Sequence, residues 1–308
     1  MAISKRAYRW SLLTLTLAFS LLAGTVCAQS DPTFRSWNQP VEPFRIVGNV
    51  YYVGASDITS FLITTPAGHI LIEGGFAETA PLIEESVRRL GFRLTDIKIL
   101  LSSHAHADHA GGLAELKRVT GARLIASTAD APLLASGGHG DFHWGDRLPF
   151  PPVTADETIA DGGKIELGGV VLTARPTPGH TRGNLTWTLR TEEGGRSYDV
   201  VFVGSVTAPG YQLVGNKAYP QIATDFARSV AMLRALPCDV FLAPHGMFFG
   251  LTEKRRRQAA GATPNPFIDP AGYRDALARA EAALAAQLEK EQSAASGTTA
   301  PKSAETGD

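Results

Sequence analysis

The stretch "DIKILLSSHAHADHAGG", residues 96–112, constrains this chain more than any other. Three of the eight histidines and one aspartate fall between His104 and His109, directly after an apolar run that reads as a strand. Four ligand-type side chains in six positions at a strand end point to metal binding. If the strand runs on for two residues, alternation puts the His104 and His106 imidazoles on one side, as two ligands of one ion. Asp108 and His109 then fall where the chain turns toward a helix and can serve a second ion. Ala105, Ala107, Gly111 and Gly112 leave room for close approach.

One segment does not complete such a site, so further ligands are expected at other strand ends. His180 in "TPGHTRGN" and His245 in "LAPHG" occupy such places. His69, in a hairpin turn, and His139 and His143, in a glycine-rich loop, read as non-ligands.

Around these positions the pattern alternates strands and helices. "FRIVGNVYYV", "SFLITT" and "ILIE" read as strands, with "PAGH" turning a hairpin, and "APLIEESVRRLG" as a helix. "DIKILL" and "ARLIAS" read as strands, "GGLAELKRVTG" and "TADAPLLAS" as helices. After the loop "GGHGDFHWGDRLPFPP" the order repeats, with strands at "VVLTARPTPGHT", "NLTWTLR", "DVVFVG" and "DVFLAP" and a helix at "TDFARSVAMLRAL". Two β-then-α halves imply an α+β fold with four layers, α/β/β/α, and the metal site at one edge. "DPAGYRDALARAEAALAAQLEKEQ" reads as a C-terminal helix burying Tyr273, Leu277, Leu284 and Leu288.

The ends of the chain are expected to lie outside this domain. Lys5, Arg6 and Arg9 precede the apolar "WSLLTLTLAFSLLAG", and Val26 and Ala28 suit cleavage after Ala28. Residues 1–28 therefore read as an export signal, residues 29–292 as one domain and 293–308 as a disordered tail. The apolar stretch is short of the roughly 20 residues of a bilayer span, so no permanent membrane anchor is expected. The signal holds three of 29 basic residues and none of 30 acidic ones, leaving 26 against 30. That mildly acidic balance, with no basic tract, argues against a nucleic-acid partner. Cys27 leaves with the signal, so Cys238 has no disulfide partner and reads as a small apolar residue.

The pieces "SSHAHADHAGG", "TPGHTRGNLTW", "GSVTAPGYQL" and "LPCDVFLAPHGMFF" together resemble the metallo-β-lactamase superfamily, and within it the third subclass of class B (zinc) β-lactamases. The resemblance spans nearly the whole chain after the signal. It assigns His104, His106 and His180 to a first zinc ion and Asp108, His109 and His245 to a second, with Asp108 also counted as catalytic. It gives Ser205 and Thr207 the substrate carboxylate, and Tyr211 an oxyanion-stabilising role, although that tyrosine could equally pack under the site. Glyoxalase-type and lactonase-type relatives place a bridging aspartate at Ser205, and the first lactamase subclass a cysteine. Glu73 stands where the family has an aspartate supporting the metal site.

The resemblance implies a monomeric periplasmic enzyme that hydrolyses the β-lactam ring of penicillins, cephalosporins and carbapenems with a metal-bound hydroxide, giving antibiotic resistance. A lactonase or thioesterase of the same fold is the alternative. Phe142 and Trp144 could form an apolar wall or anchor their loop, and Arg182 reads as a solvated side chain.

Overall fold

The strand that precedes the histidine cluster is buried on both faces, and this organises the molecule. The computed structural model describes residues 31–297, so the export segment and the last residues of the expected tail lie outside it. Its seven-stranded sheet runs in the order β1 (Phe44–Val47), β2 (Val50–Tyr52), β3 (Phe61–Thr65), β4 (Gly68–Ile72), β5 (Ile97–Leu101), β6 (Arg123–Ser127) and β7 (Glu157–Ile159). Pairing is antiparallel up to β4 and parallel from there on. The five-stranded sheet contains β8 (Lys164–Leu167), β9 (Val170–Pro176), β10 (Leu185–Glu193), β11 (Arg196–Phe202) and β12 (Val240–Leu242) in the order β12-β11-β10-β9-β8.

Side-chain alternation divides the core in two. Ile70, Ile72, Ile99 and Leu101 face the second sheet, where Leu172, Trp187, Val200 and Phe202 meet them. Their neighbours Leu71 and Leu100 point the other way, against Ile83, Val87, Leu113 and Leu116 of the covering helices. Strands buried on both faces read as continuous apolar runs, as "ILI" and "IKILL" do.

The helices are α1 (Pro32–Trp37), α2 (Ala80–Arg89), α3 (Ala107–Ala110), α4 (Leu113–Thr120), α5 (Ala131–Ala135), α6 (Ile222–Ala235), α7 (Gly246–Phe249), α8 (Leu251–Ala259) and α9 (Pro270–Gly297). The expected α/β/β/α layering is the observed one. None of the helices among the described residues is long and apolar enough to cross a membrane.

Several local expectations are corrected. "FRIVGNVYYV" is two strands, because Gly48 turns the chain with φ +51°, and a Cβ there would meet Thr191 Oγ1 at 2.2 Å. Strands β7 and β8 carry too few apolar residues to stand out by pattern. Helix α9 continues past Gln292 to Gly297. Its Tyr273 and Leu277 join the main core, while Leu284 and Leu288 pack on a separate cluster around Tyr211, Leu213, Tyr219, Ile222 and Phe226.

Candidate metal centre

Strand β5 stops at Leu101, so His104 and His106 do not alternate along it as expected. They converge in the loop that follows, where His106 occupies the position just before α3. Asp108 and His109 lie within that short helix. The Gly111–Gly112 pair serves close packing of backbones: a Cβ on Gly112 would sit 2.2 Å from the Gly74 carbonyl oxygen. His180 follows β9, and His245 follows β12 just before α7. The first four residues thus come from the seven-stranded sheet and the last two from the five-stranded one.

These six form the two sets expected, His104 with His106 and His180, and Asp108 with His109 and His245, each with ligand atoms within 4.8 Å of one another. His106 Nδ1 lies 3.1 Å from His180 Nε2. Asp108 Oδ2 lies 3.2 Å from His109 Nε2 and 3.3 Å from His245 Nε2. The sets adjoin, with the His104 and His109 ring centroids 4.4 Å apart.

The far side of each ring is oriented by the protein. His104 Nδ1 is 2.8 Å from Ser103 Oγ, His180 Nδ1 donates to the Thr207 carbonyl at 2.7 Å, and His245 Nδ1 is 2.9 Å from Asp57 Oδ2. His106 Nε2 faces Asp141 Oδ2 at 3.5 Å and His109 Nδ1 faces Glu73 Oε2 at 3.6 Å. Orienting partners on the non-ligating nitrogen are the usual surroundings of metal-binding imidazoles. The inward His104 Nε2 is buried without a hydrogen-bond partner, as an atom reserved for a cation would be.

Electrostatics favour the same use. Burial, reinforced by neighbouring imidazoles, holds His104 and His180 well below the ordinary histidine value, so both keep a free lone pair. Burial works against the Asp108 carboxylate, yet His109 and His245 outweigh it and keep it ionised. Burial also opposes charge on His245, but Asp108 and Asp57 raise it to about 9. Glu73 goes the other way, pushed up to about 8 by burial despite the Ser103 N–H that bonds its Oε1 at 2.7 Å. It is the one residue other than glycine with positive φ, 71°, among those described. A left-handed backbone under a buried carboxyl is strain of the kind that collects at functional sites.

A cleft of about 830 Å³ opens over the two sets. Ser205 and Thr207 both line it, with their hydroxyls 3.1 Å apart, and Asn184 grips the Ser205 backbone from both sides. Phe34, Trp37, Trp144, Phe150 and Met247 supply apolar walls. Tyr211 packs beneath the site, the second of the two places expected for it: its ring is buried and its hydroxyl donates to the His180 carbonyl at 3.0 Å. Phe142 anchors its loop edge-on against Tyr211 and Tyr219, each 5.1 Å away, while Trp144 faces the cleft. Arg182 is exposed as expected, and its guanidinium lies over the Tyr219 ring and donates to the Ala218 carbonyl.

Sequence reasoning missed three carboxylates. Asp57 holds His245, and Asp141 faces His106. Burial works against the Asp141 charge, but His106 and the His143 and Trp144 N–H groups hold its pKa at about 2. Asp130 accepts from Ala105 N, Thr181 Oγ1 and Gly183 N, tying the first ligand loop to the one that carries His180. No local signal marks any of the three, because aspartate in a turn is ordinary turn chemistry.

Comparison with known proteins agrees with this geometry. The family model described as the metallo-β-lactamase superfamily matches residues 53–245, a span that includes all six ligand-type residues. A solved metallo-β-lactamase from Cronobacter sakazakii is 45% identical, with a TM-score of 0.81 over 84% of this chain and 99% of that one. The FEZ-1 metallo-β-lactamase from Legionella gormanii is 42% identical, with a TM-score of 0.81 over 83% and 98%. BJP-1, a subclass B3 metallo-β-lactamase of Bradyrhizobium japonicum, is 36% identical, with a TM-score of 0.80 over 85% and 99%. Among curated proteins, a hydroxyacylglutathione hydrolase of Rhodopseudomonas palustris is 30% identical over 187 residues, 61% of each chain. The chain thus spans about three fifths of the length of that curated relative. Two adjoining ligand sets, the two-sheet fold that supplies them and a family match across both make the chain a member of the metallo-β-lactamase superfamily.

Proposed function

We propose that the chain is an exported zinc β-lactamase that opens the ring amide of penicillins, cephalosporins and carbapenems in the periplasm and so confers resistance to them. The observation that carries this reading is the joining of two three-ligand sets to a pair of neutral hydroxyls, Ser205 and Thr207, on the wall of one cleft. Imidazole and carboxylate donors suit zinc, and three protein ligands per ion leave positions open for water and substrate. His104, His106 and His180 would hold one ion, and Asp108, His109 and His245 the other. Such ions make water a nucleophile at neutral pH and polarise a carbonyl oxygen.

The remaining work falls to the chain's own side chains. Ser205 and Thr207 donate to the carboxylate beside the ring nitrogen and set the amide against the two sets. Asp108, ionised and lining the cleft, can accept a hydrogen bond from the attacking water. Phe34, Trp37 and Met247 cover the apolar side groups of the substrate and exclude bulk water. Tyr211 supports His180 through the bond from its hydroxyl to the His180 carbonyl.

A thioesterase reading draws on the hydroxyacylglutathione hydrolases among the curated relatives. Ser205 opposes it, because in glyoxalase-type relatives that position carries the bridging aspartate. The deciding experiment compares kcat/KM of the zinc-loaded protein on a carbapenem, a simple lactone and a hydroxyacylglutathione thioester. The carbapenem is expected to be preferred; preference for the thioester or the lactone would replace the reading.

A further inference from the structure

His180 is gripped at two points by one irregular stretch of chain, and that stretch is gripped in turn by the C-terminal helix. The imidazole Nδ1 donates to the Thr207 carbonyl, and the His180 carbonyl accepts the Tyr211 hydroxyl. With the proton on Nδ1, the Nε2 lone pair faces into the first ligand set. The Tyr211 ring also stacks on the imidazole, with centroids 5.6 Å apart.

Residues 203–221 contain no helix or strand, so their position depends on what other elements supply. Asn184 holds the Ser205 end. Helix α9 holds the rest: Glu291 Oε2 accepts Leu213 N at 2.7 Å and Val214 N at 2.8 Å, and Gln287 Nε2 donates to the Tyr211 carbonyl. Gln287 is itself braced by Glu291 Oε1 at 3.0 Å. Among the described residues from 281 onward, Leu284, Gln287, Leu288 and Glu291 alone are not exposed. Their spacing places them on one helical face. On that face Leu284 and Leu288 pack on the cluster that joins Tyr211, Leu213 and Tyr219 to Ile222 and Phe226 of α6, while Gln287 and Glu291 spend their polar groups on the stretch that holds His180.

We propose that Gln287 and Glu291 are positioning residues for the first ligand set, acting through Tyr211 and Thr207 on the orientation of His180. The proposal rests on the reading that this set binds zinc. Loss of the Glu291 carboxylate frees two backbone N–H groups, loosens the stretch between Thr207 and Val214, and lets the imidazole turn.

The test is zinc titration against a chromophoric chelator, with Glu291→Ala placed in two backgrounds. Asp108→Ala leaves the first set intact, and His180→Ala leaves the second. Glu291→Ala is expected to weaken zinc binding about tenfold in the first background, the low end of the effect seen for partners of ligating histidines, and to change nothing in the second. Glu291→Gln keeps a carbonyl oxygen for the two N–H groups and is expected to recover most of the loss, while the exposed Glu289→Ala is expected to have no effect. An equal loss in both backgrounds, no loss, or a Glu291→Gln as weak as Glu291→Ala overturns the proposal. Proton exchange at the His180 ring N–H in the metal-free protein needs no zinc and separates this inference from the metal reading. It should be at least tenfold faster in Glu291→Ala, and an unchanged rate overturns the proposal whatever the zinc data give.

Discussion

Asp57 Oδ2 lies 2.9 Å from His245 Nδ1, while Oδ1 of the same carboxylate accepts the Met247 N–H at 2.7 Å. One side chain thus fixes both the ring of a metal ligand and the start of the helix behind it. Asp57 and Asp108 between them raise His245 to about 9, against a burial effect in the opposite direction. A histidine raised in the folded state adds stability that is fully present below its unfolded value of about 6.5 and is lost as pH rises through 9. The metal-free protein should therefore lose melting temperature between pH 6.5 and 9, and Asp57→Ala should flatten that slope. Zinc affinity of the second set should climb over the same interval by up to about tenfold per pH unit, because the ion must displace the His245 proton. Calorimetric melts of the metal-free protein and zinc titrations at several pH values check both slopes.

Glu73 has an unpartnered buried oxygen that faces an unpartnered buried nitrogen of His109 at 3.6 Å. A cation on the far side of that imidazole would favour proton donation from Nδ1 to the carboxylate. Glu73→Gln should cost about 10 to 100-fold in zinc affinity at the second set, with little change in the melting temperature of the metal-free protein at pH 7. An unchanged zinc titration would make Glu73 a folding residue alone.

Asp130 gathers three donors from two loops into a buried carboxylate that burial shifts upward and its hydrogen bonds hold back. Asp130→Ala strands those donors at roughly 1 to 3 kcal/mol each. Denaturant unfolding should show a loss of several kcal/mol, and the metal-loaded protein should suffer too, because Ala105 and Thr181 adjoin ligands of the first set.

The Ser205 and Thr207 hydroxyls are hydrogen-bonded to each other, and on the proposed function they would turn to the substrate's carboxylate on binding. Hydrogen bonds to a charged group are worth about 1.5 to 3 kcal/mol. Replacing both residues by alanine should raise KM for a carbapenem by tenfold or more with kcat nearly kept. A fall in kcat at constant KM would assign the pair to the chemistry instead of to binding.

The parts of the site that were legible are those set by local pattern. The cluster from His104 to His109 and His245 follow apolar runs and His180 lies in the turn after a strand, and a strand end leaves few places for the next side chain to go. The two-sheet core was legible for the same reason, since "ILI" and "IKILL" cannot be half-exposed strands. What stayed hidden depends on partners far along the chain. Asp57 is defined by His245, Asp130 by Thr181, and the last turns of the C-terminal helix by Leu213 and Val214. In sequence they are a turn residue, another turn residue and a polar helix end. For Tyr211 the motif fixes the neighbourhood but not the direction of the hydroxyl, which bonds the His180 carbonyl.

The division of the two candidate ligand sets between two sheets ties completion of the site to the order of assembly. A chain whose second half has not yet docked offers two donors for each ion, His104 with His106 and Asp108 with His109, too few to compete for zinc against ordinary chelators. Only when the second sheet closes on the first do His180 and His245 arrive. An ion held by either complete set would then cross-link the halves and slow their separation. On the proposed function, hydrolysis would in that sense report that folding is finished, and stripping zinc should speed the parting of the sheets as well as stop the reaction.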